Sequence, residues 1–185
     1  RDRRSHYFAG RTAAWMLAQA AGLSQSVHTD TLGAPYLESV NGRQPITITH
    51  SGAWAMAAMA GNHVFGMDYE VGLPGRAHLR RRVCGDGEIA SHDLRDPETE
   101  TRAYALGCIW TMKEALFKAY GVGLVAELKD VEVGPVAPDG TVCVRALQPL
   151  HPTIPHPLPR GLYCAVRPFE GHPLAVVGCA PGHSA

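Results

Sequence analysis

The chain lacks the features that mark several common classes of protein. Its 17 Lys and Arg residues balance its 17 Asp and Glu residues, so no excess of positive charge points to nucleic acid as a partner. The apolar segment 53–60 is too short to span a membrane. The N-terminus lacks the apolar core of a secretion signal. It also lacks an initiator Met, so we expect further residues upstream.

Cysteine is sparse and irregularly placed. The five cysteines form neither a C-x-x-C pair nor the Cys/His spacing of a zinc site. We therefore expect reduced thiols that mostly fill the core, in a cytoplasmic protein. The proline-rich segment 151–157 carries two histidines, which we expect to face solvent rather than to bind a metal.

The periodic segments predict a single α+β unit of 185 residues. Two long helices are predicted, over 5–21 and over 97–120. Gly22 and Gly121 follow them as typical C-caps, and Asp96 is the predicted N-cap of the second. A polar, turn-rich stretch follows the first helix. Helices are predicted over 5–21, 76–83 and 97–120, and strands over 46–50, 54–60, 64–70, 129–133, 141–146, 162–167 and 174–179.

Two short stretches carry acidic residues at informative spacing. Asp68 and Glu70 lie two apart on a predicted strand, so their side chains point to the same face. Trp110, Glu114 and Lys118 lie four apart on a predicted helix, so they share one face. Carboxylate oxygens with lysines beside them can hold Mg²⁺ next to a phosphate.

A third stretch, residues 46–52 (ITITHSG), lies upstream of these two. The three together resemble the ordered motifs of the 4′-phosphopantetheinyl transferase superfamily: a [S/T]-H-[S/C] strand end, a G-[I/V/M]-D-x-E strand and a W-[S/T]-x-K-E-[A/S]-x-x-K helix. The resemblance runs from about Arg3 to Val177 and favours the larger, single-chain type. It implies two similar α+β halves, 1–65 and 66–185, related by a pseudo-two-fold axis, with the active site between them.

The resemblance implies transfer of 4′-phosphopantetheine from coenzyme A to a serine of an acyl or peptidyl carrier protein, with release of 3′,5′-bisphosphoadenosine. Asp68, Glu70 and Glu114 match the three Mg²⁺ carboxylates, and Mn²⁺ takes the same oxygen ligands. Three adjacent carboxylates also predict a cation because they repel one another. Glu114 is one candidate for the general base, and Glu88 is another, with Asp86 as a further alternative.

The remaining expected contacts are with coenzyme A. Lys118 and Lys113 match the helix lysines, which implies contacts with the pyrophosphate. His50 matches the strand-end histidine, with Thr49 beside it. Arginines suit the 3′-phosphate, and here the candidates are Arg11 first and Arg3 second, with Thr12 near the adenine.

The sequence departs from the family pattern at two places. No lysine stands in the stretch 31–35, where the family commonly has one, although Arg43 is a possible substitute. Trp15 occupies a position that often holds a second arginine. These departures leave open a second interpretation, a module that binds coenzyme A or a carrier domain without chemistry.

The basic run Arg76, Arg80, Arg81 and Arg82 suggests where an acidic carrier protein docks, although a solvated helix face is the simpler interpretation. We expect a monomer that binds neither nucleic acid nor membrane. A different Mg²⁺-dependent phosphoryl enzyme is the third hypothesis. It is weakened because the sequence has no glycine-rich G-x-x-x-x-G-K-[ST] loop.

Overall fold

The structure is a computed structural model that describes residues 3–61, 63–71, 77–95, 99–123 and 127–179. For residues 3–6, 77 and 78 it describes the backbone alone. The described chain is a mixed α+β structure, as the sequence predicts, with four helices packed against several small antiparallel sheets. Within these residues, no helix combines the length and hydropathy needed to cross a bilayer.

Helix α1 (Arg3–Ala20) confirms the first predicted helix and begins two residues earlier than expected. It ends as predicted at Gly22, whose φ of 66° is the left-handed conformation of a helix C-cap. The Leu23 amide then donates to the Ala18 carbonyl at 2.9 Å, which closes the last turn. Gly10 brings α1 close to the sheet, because a Cβ there would lie 3.0 Å from Cγ2 of Ile48.

The stretch after α1 is a three-stranded antiparallel sheet, which corrects the expected turn-rich connection. Its strands are β1 (Val27–Thr29), β2 (Pro35–Ser39) and β3 (Gly42–Pro45), in that order. The Asp30 carboxylate accepts the amides of Leu32 and Ala34 and so fixes the first turn. The strands have only three to five residues each, too few for a clear alternating pattern.

Strands β4 (Thr47–Ser51) and β5 (Trp54–Ala58) form the next hairpin, which confirms the interpretation of segment 54–60 as a strand. Strand β4 then meets β6 (Phe65–Tyr69) through side chains. Every second residue of β4 carries a hydroxyl that accepts an amide of β6 or of Val71, two residues beyond the end of β6. The pairs are Thr47 with Met67 at 3.2 Å, Thr49 with Tyr69 at 3.0 Å and Ser51 with Val71 at 2.9 Å.

Strand β6 is also the edge of a second sheet of order β6-β10-β9, with β9 at Leu162–Phe169 and β10 at His172–Cys179. Helix α4 (Glu100–Ala119) packs across β6 and β10. Its N-cap is Thr99, whose side chain accepts the Arg102 amide, whereas the predicted cap Asp96 lies outside the described residues. It ends as predicted, with a left-handed residue at Gly121.

The connection between β6 and α4 carries two short helices, α2 (Ala77–Val83) and α3 (Asp86–Ser91). Only α2 is predicted from the sequence, and its first predicted residue, Arg76, lies outside the described residues. After α4 come a single 3-10 turn and the antiparallel pair of β7 (Val131–Val133) and β8 (Val144–Ala146). Both strands are shorter than predicted from the sequence.

Two hydrophobic clusters hold these elements together. The smaller one joins α1 to β2 and to the residue before β4, through Ala14, Ala18, Leu37 and Ile46. The larger one surrounds α4 and includes Ile109, Met112, Leu116 and Phe117 of that helix, with Ala175 and Val177 of β10. Strand β6 lies between these two groups of elements, because it contacts β4 on one side and α4 and β10 on others.

The closest approach of α4 to β6 occurs at Gly66. A Cβ on Gly66 would lie 2.0 Å from the Ala115 carbonyl oxygen and 2.4 Å from the Ala119 amide nitrogen. Both neighbours are helix backbone and cannot rotate away. Only glycine therefore allows this spacing between the strand and the helix.

We predict that Gly66→Ala destabilises the protein by about 3 kcal/mol or more, because α4 must move off the sheet to accept the methyl group. The measurement is urea unfolding of both proteins. Gly178→Ala in β10 is the matched control, since a Cβ there would meet its nearest neighbours at 3.7 and 3.8 Å, an ordinary contact distance. Equal unfolding midpoints for the two variants would contradict the claimed close contact.

Candidate active site at the junction of β6 and α4

Two carboxylates stand at the end of β6, each oriented by a hydroxyl of β4. The Thr49 hydroxyl donates to Oδ1 of Asp68 at 2.9 Å. The Ser51 hydroxyl donates to Oε1 of Glu70 at 2.9 Å. Asp68 is only 5% exposed, so this bond and the contacts of its other neighbours fix its direction. The hydroxyls that join β4 to β6 thus also aim the acidic side chains.

Lys118, from the last turn of α4, reaches the same carboxylate. Its Nζ donates to Oδ1 of Asp68 at 2.6 Å, and its side chain is 26% exposed against 8% for Asp68. This is a charge-assisted bond at the edge of the protein, partly screened by water. It connects strand and helix at the point where Gly66 allows them to approach.

Glu114 lies one turn before Lys118 and is the third carboxylate of the group. The pKa of Glu114 is raised to about 7, first by burial and next by the negative charge of Asp68. Lys118 lowers the pKa of Glu114, and the charge of Glu70 raises it further. The charges of Asp68 and Glu70 both act on the pKa of Glu114, and the grouping of the three carboxylates around one cation stays a prediction.

The chemistry of this donor set suits a hard divalent cation. It offers carboxylate oxygens, and burial and mutual repulsion make the deprotonated form of Glu114 costly without a cation nearby. In the part of the chain that is described, no three His, Cys, Asp or Glu side chains are already arranged around a single ion position. Instead the Lys118 ammonium lies against Asp68. The residues fit Mg²⁺ if binding shifts the lysine.

Lys113 is not part of this group, although it precedes Glu114 in the chain. Its ammonium is fully buried and donates to Oε2 of Glu88 at 2.7 Å and to the Val83 carbonyl at 2.7 Å. Burial lowers the pKa of Lys113, while the charge of Glu88 opposes that shift. The expected contact between Lys113 and a phosphate is therefore replaced by an internal ion pair.

Glu88, the partner of Lys113, is also buried and fully used by internal hydrogen bonds. Its carboxylate is 1% exposed and also accepts the amides of Gly85 and Val133, both at 2.9 Å. A carboxylate surrounded by three donors and closed to solvent cannot reach a substrate serine. This contradicts the assignment of Glu88 as an alternative base, whereas Asp86 is exposed on α3.

His50 and Thr49, the two candidates near the end of β4, lie in different environments. His50 is exposed on β4 and faces α1, since a Cβ on Gly10 would lie 3.6 Å from its ring. Thr49 is only 2% exposed and its hydroxyl is used by Asp68 and Tyr69, so the structure gives it an orienting role rather than the expected contact with coenzyme A.

The basic and polar candidates of α1 lie on the surface of that helix. The Arg11 guanidinium donates to the Val27 carbonyl and stacks 5.2 Å from the centre of the Tyr7 ring. The Thr12 hydroxyl donates to Phe8, and Trp15 donates to Gln25. The Arg3 side chain lies outside the described residues. Arg43 is far along β3, where its guanidinium stacks on Tyr36 at 4.7 Å.

A basic groove lies beside α2. Arg80 is used internally, since it donates to the carbonyls of Leu94 and Arg95. Arg81 and Arg82 are exposed. A groove of about 400 Å³ lies between α2 and α4, and its lining holds three basic residues and one acidic residue among apolar ones: Arg81, Arg82, Lys129, Glu127, Leu79, Leu128 and Trp110.

Comparison with known proteins identifies the family of the chain. The family model described as the 4′-phosphopantetheinyl transferase superfamily matches residues 65–157, half of the chain. The chain therefore belongs to the 4′-phosphopantetheinyl transferase superfamily, and membership supports a transferase that moves phosphopantetheine. The matched region includes Asp68, Glu70, Glu114 and Lys118. The search of the curated proteins returned no match.

Two functional roles in this site were not predicted from the sequence. Ser51 orients Glu70, and the alternation of Thr47, Thr49 and Ser51 on one strand face was the available signal. Glu88 and Lys113 form an internal pair, and the nearest signal was a glutamate three residues after Gly85, the spacing of a capping box.

We predict that Glu114 makes the metal-free protein less stable as pH rises. Its pKa is about 7 in the folded protein against an ordinary 4.5, so between these values the folded state keeps a proton that the unfolded state has lost. The contribution of Glu114 to the free energy of unfolding is fully present below pH 4.5. It is lost as the pH rises from 4.5 through the folded-state pKa of about 7. The loss is at most about 3 kcal/mol, because part of the shift is screened by solvent.

The measurement is the free energy of unfolding in EDTA from pH 4.5 to 8, for the wild type and for Glu114→Gln. The difference between the two free energies of unfolding should change between pH 4.5 and about 7 and become constant above that. Glu38→Gln, at an exposed position on β2, controls for the general loss of a negative charge. Parallel curves for the wild type and Glu114→Gln would contradict the raised pKa.

Proposed function

We propose that the protein transfers 4′-phosphopantetheine from coenzyme A to a serine of an acyl or peptidyl carrier protein, with Mg²⁺, and releases 3′,5′-bisphosphoadenosine. The observation that supports this proposal is the contact of β6 with α4, where Lys118 donates to Asp68 and the charges of Asp68 and Glu70 raise the pKa of Glu114. A group of this kind suits a pyrophosphate and its cation. We infer an enzyme of the larger, single-chain type.

Asp68, Glu70 and Glu114 would hold the Mg²⁺ ion. When bound, the ion acts as a Lewis acid and neutralises charge on the pyrophosphate oxygens. Mn²⁺ suits the same oxygen donors. The Ser51 and Thr49 hydroxyls keep two of these carboxylates in place, so less reorganisation is needed when substrate arrives.

Lys118 has a role both without substrate and with substrate bound. Without substrate its ammonium compensates the charge of Asp68 at 2.6 Å. With substrate, the same ammonium can turn to the pyrophosphate and stabilise the charge that develops on the leaving phosphate. A cavity of about 190 Å³ adjoins Lys118 and is lined by the β1–β2 turn, β4 and the residues after α4, which leaves room beside it for part of coenzyme A.

Glu114 is the better candidate for the general base, since Glu88 is closed to solvent. Glu114 is partly exposed, so its carboxylate can meet the serine hydroxyl. The serine oxygen forms a bond to the phosphorus that carries pantetheine, and its proton passes to a Glu114 oxygen. The bond from that phosphorus to the bridging oxygen breaks, and the electron pair leaves with 3′,5′-bisphosphoadenosine.

The other contacts with coenzyme A come from elements near this group. His50 is exposed at the end of β4 and suits a phosphate oxygen. Arg11 is partly exposed on α1 and would give up its bond to Val27 to reach the 3′-phosphate, with Arg3 as the second candidate. Thr12 would approach the adenine. Arg43 is a weaker candidate because it stacks on Tyr36.

We also propose that residues 1–65 and 66–185 correspond to two similar halves related by a pseudo-two-fold axis. The two hydrophobic clusters, one around α1 and one around α4, support this division. The hydroxyl contacts of β4 with β6 join the two parts at the proposed seam. We propose that the protein acts as a cytoplasmic monomer.

The carrier protein would dock beside α2. Carrier proteins are acidic near the modified serine, and Arg81, Arg82, Arg95 and Lys129 are exposed around the groove between α2 and α4 or next to it. Trp110 lines the groove and lies one turn before Glu114 on the same helix. We propose that the carrier serine reaches the three carboxylates from this groove. Carriers of polyketide, non-ribosomal peptide or siderophore assembly are the proposed partners.

The direct test is to incubate an apo carrier protein with coenzyme A, Mg²⁺ and the wild type, and to weigh the carrier by intact mass spectrometry. We expect a gain of one phosphopantetheine that EDTA prevents. Asp68→Asn and Glu114→Gln should lower the rate at least about 1,000-fold, since each removes charge stabilisation from the site, while Glu38→Gln stays unchanged.

Full activity in Asp68→Asn or Glu114→Gln would contradict the assignment of these carboxylates as Mg²⁺ ligands. Bound coenzyme A with no mass gain on several carriers would favour a binding module without chemistry. Both variants must keep the wild-type circular dichroism spectrum for the comparison to hold.

The docking surface has its own test. In Arg81→Glu/Arg82→Glu we expect KM for the carrier to rise about tenfold, with KM for coenzyme A unchanged, because the substitutions repel the acidic partner only. The measurement is steady-state transfer at two salt concentrations, and added salt should narrow the difference. Arg160→Glu, at an exposed position just before β9, is the control. An unchanged KM for the carrier would exclude this surface.

A further inference from the structure

The ion pair of Lys113 with Glu88 is the most completely enclosed charged contact among the described residues. Lys113 is 0% exposed and Glu88 is 1% exposed. The other ion pairs have at least one side chain that is 26% exposed or more. Two charges closed off from water cost free energy to bury, and replacing such a pair with neutral side chains is often neutral for stability. Its place in the fold suggests a role other than stability.

Four segments of the chain meet at this pair. Lys113 Nζ donates to the Val83 carbonyl at the end of α2 and to Glu88 near the start of α3, both at 2.7 Å. Glu88 accepts the Gly85 amide before α3 and the Val133 amide at the end of β7, both at 2.9 Å. The pair therefore ties the middle of α4 to α2, α3 and β7 by directional bonds.

The pair and the Gly66 contact act on neighbouring residues of α4. Lys113 is fixed by Glu88 on one side, and Ala115 is fixed against Gly66 on another. Glu114 lies between them in the chain. Successive residues of a helix are rotated by about 100°, so two fixed neighbours determine the direction of the residue between them.

We propose that Lys113 and Glu88 are positioning residues, which set the rotation of α4 and thereby aim the Glu114 carboxylate at Asp68 and Glu70. This inference rests on the proposed function. Rotating α4 by about 10° would move an atom 5 Å from its axis by about 1 Å. A misplacement of that size in an active site lowers rates by up to about 100-fold.

The test compares kcat and KM in the double variant Glu88→Gln/Lys113→Met, which removes both charges together. We expect it to fold, with an unfolding midpoint closer to wild type than that of Lys113→Met alone, which leaves a buried carboxylate without its partner. We expect kcat per folded molecule to fall at least tenfold, while KM for coenzyme A changes less than twofold. A purely structural pair would lower the midpoint and leave kcat unchanged.

The matched control is Asp93→Asn/Arg102→Gln, an ion pair that also has one member on α4, about three turns before Glu114. It should leave both kcat and KM at wild-type values. A folded Glu88→Gln/Lys113→Met with wild-type kcat would overturn the positioning role. A rise in KM for coenzyme A with unchanged kcat would also overturn it, because that result restores a direct contact of Lys113 with substrate.

The design separates this inference from the proposed function. If the wild type transfers no phosphopantetheine, the proposed function fails first. In that case the three carboxylates Asp68, Glu70 and Glu114 offer a second readout, which is their affinity for Mn²⁺ measured by electron paramagnetic resonance. We expect at least fivefold weaker Mn²⁺ binding in the folded Glu88→Gln/Lys113→Met than in the wild type, and equal affinities would overturn the positioning role.

Discussion

The close contact of α4 with β6 at Gly66 is the constraint on which the site depends. A side chain at this position would meet helix backbone at 2.0 Å, so the strand and helix can lie at this distance only with glycine between them. That distance lets Lys118 reach Asp68 at 2.6 Å and brings Glu114 within electrostatic reach of the same carboxylate. The glycine of the motif is therefore as much a part of the site as its acidic residues.

The second constraint is the hydroxyl contact of β4 with β6. Backbone pairing between these strands would leave their facing side chains without a special role, whereas here three hydroxyls accept amides at alternate positions. Two of them also donate to Asp68 and Glu70. One set of side chains therefore both joins the strands and orients the carboxylates, which explains why small hydroxyl residues alternate along β4.

Local spacing indicates which acidic side chains share a face, because a strand alternates and a helix repeats about every four residues. That these carboxylates hold one cation stays a prediction. The fate of Lys113 could not be predicted in this way, since its partner Glu88 lies 25 residues away and only the folded chain brings them together. The sheet of β1, β2 and β3 was missed because its strands are short. Asn41-Gly42 was a usable hairpin signal.

The Lys118 ammonium compensates the negative charge of Asp68 in this structure. We propose that a divalent cation takes over this compensation when substrate binds. The most direct measurement is titration of Mn²⁺ with coenzyme A present, followed by electron paramagnetic resonance. The account predicts one bound ion per chain in the wild type and at least tenfold weaker binding in Glu114→Gln. Equal, weak binding by both proteins would contradict a cation site formed by Asp68, Glu70 and Glu114.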